Sequence, residues 1–262
     1  MSVRSIVSFV AALAVLVVTR ADAADPRDTL AVVKRSVVAV GTFERGRAPP
    51  FLFRGSGFAA ANGRIIVTNA HVLPGVVDSA RNESLAILIP GSDATEPQVR
   101  EVHRIAVDVG ADLAVLGLEG EALPPLKIGD SDQIREGQEI LMTGFPIGAI
   151  LGAFAATHRG IVSAITPIAI PQARAAELEP ALVRRLTTGV FPVFQLDATA
   201  YPGNSGSPIY DPATGEVVGI VNMVFVKGTK ESALSQPSGI TYAVPAKHIA
   251  ALLATLPRGS SK

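Results

Sequence analysis

A long succession of short β-favouring runs, each closed by a turn signal, constrains this 262-residue chain more than any other feature. The runs fall at 36–43, 55–60, 64–68, 84–89, 113–118, 139–143, 157–165, 191–196, 216–226 and 240–244. Strands of this length and spacing predict an all-β barrel or sandwich rather than alternating β-α units. The punctuation agrees. Asn62-Gly63 is a two-residue hairpin signal tolerant of positive φ, and Asp211 to Gly215 reads as a longer turn. The Pro124-Pro125 pair, inside 119–130, splits the strands into two β halves, 24–122 and 123–258, each large enough to close a small barrel. The last element is helical: Pro245 suits its first turn, and Ile249, Leu252, Leu253 and Leu256 recur at i, i+3, i+4 and i+7, an apolar stripe to pack on the second half. Residues 171–190, rich in Ala, Glu and Arg and interrupted by Pro180, read as a partly helical surface excursion without nameable chemistry.

Composition then removes whole classes of function. Lys plus Arg equals Asp plus Glu at 23 each, so no net field steers the chain toward nucleic acid or an anionic membrane. Charged residues are 18% and hydrophobic residues 48%, which is enough apolar material to repay the entropy of folding. Cysteine is absent. That excludes a disulfide framework, a zinc-thiolate site and a cysteine nucleophile together.

Residues 1–23 read as a secretory signal. Arg4 supplies the basic region, 6–18 is an apolar run broken only by Ser8, and Ala21-Asp22-Ala23 is an A-x-A cleavage site. The run is shorter than the ~20 residues of an ordinary membrane span, although an uncleaved anchor is the alternative. No later stretch reaches membrane length without Gly, Pro or a charge. The mature chain is therefore expected in a bacterial periplasm or secreted, with no stable membrane insertion.

Acyl-bond hydrolysis by serine needs an activated hydroxyl, a base, a group that orients the base, and donors for the developing oxyanion. Pro202-Gly203-Asn204-Ser205-Gly206-Ser207-Pro208 places glycines where the backbone must turn sharply and can aim the Gly203 and Ser205 N–H groups at one point. Alone, the tetrad Gly203-Asn204-Ser205-Gly206 also describes an ordinary turn before a strand. Thr68-Asn69-Ala70-His71-Val72 follows the apolar run 65–67, putting an imidazole where a strand leaves the core. His103, His158 and His248, the remaining histidines, read as surface or half-buried side chains. Asp112 precedes Leu113-Ala114-Val115-Leu116 at a strand edge, with Asp108 as a nearby rival. The chain order His71, Asp112, Ser205 matches the chymotrypsin arrangement and differs from those of α/β-hydrolases and subtilisins.

These segments resemble the trypsin-like serine proteases, and within them the bacterial HtrA (Deg) type. The matching motifs are Gly55-Ser56-Gly57-Phe58, Thr68 to Val72, Ala111 to Val115, Thr143-Gly144-Phe145-Pro146, Gly160 to Ala164, Asp197 to Pro208, Gly215 to Ile220 and Tyr242 to Pro245, in family order across about 36–256. The resemblance implies two six-stranded antiparallel β-barrels forming one peptidase unit, with the site in the cleft between them. It implies His71 as general base, Asp112 as its orienter and Ser205 as nucleophile, with the N–H groups of Gly203, Asn204 and Ser205 lining the oxyanion region. By the same analogy, Thr199, Ile220, Val221 and Asn222 line the primary specificity pocket. Without Asp or Glu at Thr199, and without histidine on 219–226, that pocket is expected to take small or medium aliphatic side chains.

Two departures from the family stand out. HtrA proteins usually carry PDZ domains, whereas only a short tail follows the terminal helix, and Ser207 stands where HtrA members typically have Gly. Some glutamyl endopeptidases share that serine. The expected substrates are unfolded proteins or peptides, with no metal and no cofactor. Assembly into homo-oligomers stays open. The competing reading is a latent or inactive peptide-binding, chaperone-like protein on the same fold.

Overall fold

The computed structural model describes residues 25–91, 96–146, 154–167, 191–222 and 239–257. The signal-peptide reading, the excursion at 171–190 and the end of the run at 216–226 fall outside them. Twelve strands close into two antiparallel barrels with a helix at each end of the described chain. Helix α1 spans Pro26–Lys34, and the first barrel holds β1 (Val37–Phe43), β2 (Phe51–Ala60), β3 (Ile65–Asn69), β4 (Ser84–Ile89), β5 (Gln98–Asp108) and β6 (Leu113–Leu118). The second holds β7 (Glu139–Gly144), β8 (Ala156–Pro167), β9 (Pro192–Asp197), β10 (Pro208–Tyr210), β11 (Val217–Val221) and β12 (Ile240–Pro245), followed by α2 (Ala246–Ala254). Both barrels have the same strand order, β1-β2-β3-β6-β5-β4 and β7-β8-β9-β12-β11-β10. This is the chymotrypsin-like architecture. Among the described residues no helix is long and apolar enough to cross a membrane.

Many of these strands are apolar on both faces because both faces are covered. In β1, Val38 and Val40 fill the first barrel while Val37 and Ala39 face a core shared between the barrels. β6 divides the same way, Ala114 and Leu116 inward and Leu113 and Val115 toward the shared core. In β7, Ile140 and Met142 fill the second barrel and Leu141 joins the shared core, which also takes Phe58, Tyr210, Ile220 and Val244. Each Val, Leu, Ile, Phe or Met among them contributes about 1.5–3 kcal/mol on burial. The continuous apolar runs are thus the signature of a barrel-to-barrel interface.

The segment linking the barrels is bonded to both. Leu126 N–H donates to the Ala59 carbonyl, Gly129 N–H to the Val217 carbonyl, and Val217 N–H to the Lys127 carbonyl. The stripe on α2 buries Ile249 and Leu252 in the shared core, so the helix packs on β5 and β6 of the first barrel as well as on β11 and β12. The expected seat on the second half is there, against β11 and β12, and the helix reaches the first barrel besides. Pro245 ends β12 and serves as the cap rather than lying inside the first turn. At Asn62-Gly63 the hairpin loop is longer than two residues, because Ala60 pairs with Ile65 and both Ala61 and Gly63 have positive φ. Asn62 Oδ1 accepts from Arg64 N–H at 3.0 Å and closes that loop.

Candidate active site

β3 ends at Asn69, and the chain coils through one 3-10 turn, Ala70–Val72, that carries His71 out of the core. Asp112 fixes this turn. Its carbonyl accepts from Ala70 N–H at 3.0 Å and from Asn69 Nδ2 at 3.1 Å, and its Oδ1 accepts from His71 N–H at 3.0 Å. Its Oδ2 lies 2.6 Å from His71 Nδ1. The rival Asp108 is engaged elsewhere, where its Oδ1 accepts from Ala111 N–H at 3.0 Å and closes the β5–β6 turn. Asp112 has φ 56°, a left-handed conformation that costs a non-glycine residue on the order of 1–2 kcal/mol and that aspartate tolerates better than most.

The Asp112 side chain is 9% exposed, whereas that of His71 keeps 31% of its surface. A shielded carboxylate therefore holds a reachable imidazole. Burial pushes the Asp112 carboxyl up, but donors from His71 and Asn222 outweigh it and leave the group below its ordinary range. The tautomer that donates Nδ1–H to the ionised Asp112 leaves Nε2 as the acceptor.

Asn222 occupies a place that its sequence context did not suggest. Expected to line the specificity pocket, it is fully buried, and its Nδ2 donates to Asp112 Oδ2 at 2.8 Å from the second barrel. Ile220 and Val221, also expected there, have fully buried side chains in the shared core and the second barrel respectively. Val221 serves the site through its backbone, pairing with Gly206 N–H at 3.1 Å and the Ser207 carbonyl at 2.9 Å. Thr199 is half-buried.

Ser205 follows a turn from Tyr201 to Asn204, closed by Asn204 N–H on the Tyr201 carbonyl at 2.9 Å. Proline then glycine at its centre, with Gly203 at φ +105°, is the chemistry of a type II turn. A side chain at 203 would also strike the Phe145 carbonyl, its Cβ only 2.4 Å away. The Asn204 amide is spent in the turn, whereas the Gly203 and Ser205 amides have no acceptor among the described residues. The loop lies against β2. Ser56 N–H donates to the Ser205 carbonyl at 2.7 Å, and a Cβ on Gly55 would sit 3.0 Å from that carbonyl oxygen and 2.7 Å from Val72. Ser205 thus stands across Gly55 from the residue that follows His71.

His103 is exposed, and His158 and His248 are half-buried, with burial lowering the pKa of both. Among the described residues no three His, Asp or Glu side chains gather as metal ligands.

Residues 55–220, which include His71, Asp112 and Ser205, match the family model of the trypsin-like peptidase domain. The chain belongs to this family. Within it, a probable periplasmic serine endoprotease, DegP-like, from Halomonas elongata is 30% identical over 192 residues, covering 73% of this chain and 32% of the relative. A protein of the same description from Marinomonas sp. is 31% identical over 198 residues, covering 74% and 33%. The trypsin-like domain here therefore spans about a third of the length of the curated relatives it matches. An HtrA-type protease, AlgW, solved with a tripeptide, superposes with a TM-score of 0.60 at 24% identity, covering 88% of this chain and 62% of that one, a likeness of fold.

Proposed function

We propose that this trypsin-like domain is an exported serine endopeptidase of the HtrA/Deg type, acting on peptides and unfolded segments through an acyl-enzyme. The observation that carries the reading is the 2.6 Å contact between His71 Nδ1 and Asp112 Oδ2, with the carboxylate buried and the imidazole open. In this mechanism His71 Nε2 takes the Ser205 hydroxyl proton as Oγ attacks the scissile carbonyl, and Asp112 stabilises the imidazolium that forms. The Gly203 and Ser205 amides receive the oxyanion. His71 then returns the proton to the leaving amine, the C–N bond breaks, and water attacks the acyl-enzyme to release the acid and restore Ser205.

Two amides at the turn, Gly203 and Ser205, with no acceptor among the described residues favour catalysis over a purely binding role. Export follows from the reading of residues 1–23 and fits the periplasmic relatives. Preference for small or medium aliphatic side chains before the scissile bond follows from the uncharged Thr199 and from the lack of histidine on 219–226, and cleavage mainly after Arg or Glu would overturn it. The test of the whole reading is hydrolysis of a casein-like substrate by wild type and Ser205→Ala. Loss of turnover on the order of 10⁶ is expected, by comparison with subtilisin; an unchanged rate contradicts it.

A further inference from the structure

Ser56 is a serine of the first barrel whose polar atoms are all in use, most of them on the second barrel. It is fully buried in β2. Its hydroxyl donates to the Gly203 carbonyl at 2.7 Å and accepts from Phe145 N–H at 3.0 Å. Its N–H donates to the Ser205 carbonyl at 2.7 Å, and its own carbonyl accepts from Thr68 Oγ1 at 2.7 Å, on the strand that ends at Asn69, two residues before His71. The flanking sequence permits this crowding. A Cβ on Gly55 would meet the Ser205 carbonyl, and one on Gly206 would lie 1.9 Å from the Ser56 carbonyl.

The two carbonyls that Ser56 holds belong to the two residues whose amides have no acceptor among the described residues, Gly203 and Ser205. The peptide from Gly203 to Asn204 is fixed at both ends, its carbonyl by Ser56 Oγ and its N–H by the Tyr201 carbonyl. We infer that Ser56 is a positioning residue: it latches the turn bearing the Gly203 and Ser205 amides to the barrel that carries His71, setting oxyanion donors and nucleophile in register with the base. The inference rests on the peptidase reading given above. It also gives a role to the Gly55-Ser56-Gly57 motif, which is separate in sequence from all three proposed triad members.

A latch of this kind acts on the tetrahedral state more than on bound peptide, because the amides it positions meet an oxygen that carries charge only during reaction. Removing one oxyanion donor costs about 10²–10³ in kcat, and a displaced donor costs less, on the order of tenfold to a hundredfold. The experiment compares wild type, Ser56→Ala and Ser131→Ala. The last is a control that removes another buried serine hydroxyl, the one accepting from Lys247 N–H at 3.0 Å. Read for each are kcat and KM on a peptide, affinity for a peptide boronate whose adduct places an oxygen at the oxyanion position, affinity of the Ser205→Ala background for uncleaved peptide, and Tm.

For Ser56→Ala, kcat and boronate affinity are expected to fall together by about tenfold to a hundredfold, with KM and peptide affinity within about twofold. Ser131→Ala lowers Tm alone. Unchanged boronate affinity in folded Ser56→Ala overturns the inference, as does an equal loss of peptide affinity. Should Ser56→Ala not fold, Ser56→Cys, with its weaker donor and acceptor, takes its place; boronate affinity equal to wild type then overturns the inference and a selective loss supports it. Wild type that binds no boronate and reacts with no fluorophosphonate refutes the peptidase reading itself.

Discussion

Asn222 Nδ2 sits 2.8 Å from Asp112 Oδ2, the same oxygen that meets His71 Nδ1 at 2.6 Å. One carboxylate oxygen thus takes donors from both barrels, and the ring it orients lies at their boundary. A hydrogen bond to a buried charge is worth about 1.5–3 kcal/mol. Asn222→Ala should therefore lower kcat/KM on a peptide by on the order of tenfold to a hundredfold. Asn222→Asp should fall further, since a second carboxylate beside Asp112 opposes its ionisation. Steady-state kinetics of the pair checks this, and wild-type values for either variant would contradict it.

The buried Asp112 carboxyl gives a pH signature. Its pKa in the fold lies below the ordinary 3.8 because donors from His71 and Asn222 overcome the effect of burial. A depressed carboxyl stabilises the fold fully above its unfolded pKa of about 3.9, and that stability is lost as pH falls through the folded value. The Tm difference between wild type and Asp112→Asn is expected to be largest near neutrality and to shrink below about pH 4. At neutral pH the variant's kcat should fall by about 10⁴, as in the same substitution in a related triad.

Glu83 is the second acid-sensitive group. Hydrogen bonds from Thr42, from Asp78 N–H and from Arg47 hold its carboxyl down at about 2. Arg47 Nη1 lies 2.9 Å from Glu83 Oε1 and ties the β1–β2 connection to the start of β4. The stability this gives is complete above about pH 4.5 and disappears between there and pH 2. Thermal melts of Glu83→Gln should show a Tm a few degrees below wild type at pH 7 and close to it at about pH 2. A constant offset at both pH values would exclude this linkage.

How much of this was legible in the sequence depends on what each residue faces. β4 and β6 coincide with their predicted runs because continuous apolar stretches mark strands covered on both faces. β5 forms no such run: Arg100, Glu101, His103 and Arg104 put polar side chains on both of its faces, and only Val102 is buried. β10, three residues long, begins at Pro208, the last residue of the serine motif, and is too short to show a pattern of its own. α1 escaped notice because only Thr29 and Val33 are buried, too few for a stripe. His71 and Asp112 could be picked out from chain order and strand edges, and the structure joins them directly. Asn222 stood out only as a pocket residue; its bond to Asp112 could not be read, since that partner is 110 residues away and no local pattern marks a buried amide that reaches across a barrel boundary.

Gly203 allows a sharp test of the turn. Its φ is +105°, and a Cβ there would lie only 2.4 Å from the Phe145 carbonyl oxygen, so conformation and space both forbid a side chain. Gly203→Ala must shift the turn, so kcat is expected to fall by about 10²–10³, the loss seen when an oxyanion donor is removed. Enzyme assays on folded variant check this. Activity within about twofold of wild type would show that the Gly203 amide takes no part.

The most direct measurement is labelling of the wild-type protein with a fluorophosphonate, followed by mass spectrometry of the modified peptide. A single adduct on Ser205, lost in His71→Ala, is the predicted result. No adduct, an adduct on Ser207, or labelling undiminished in His71→Ala would contradict a hydroxyl at 205 activated by the imidazole that Asp112 holds.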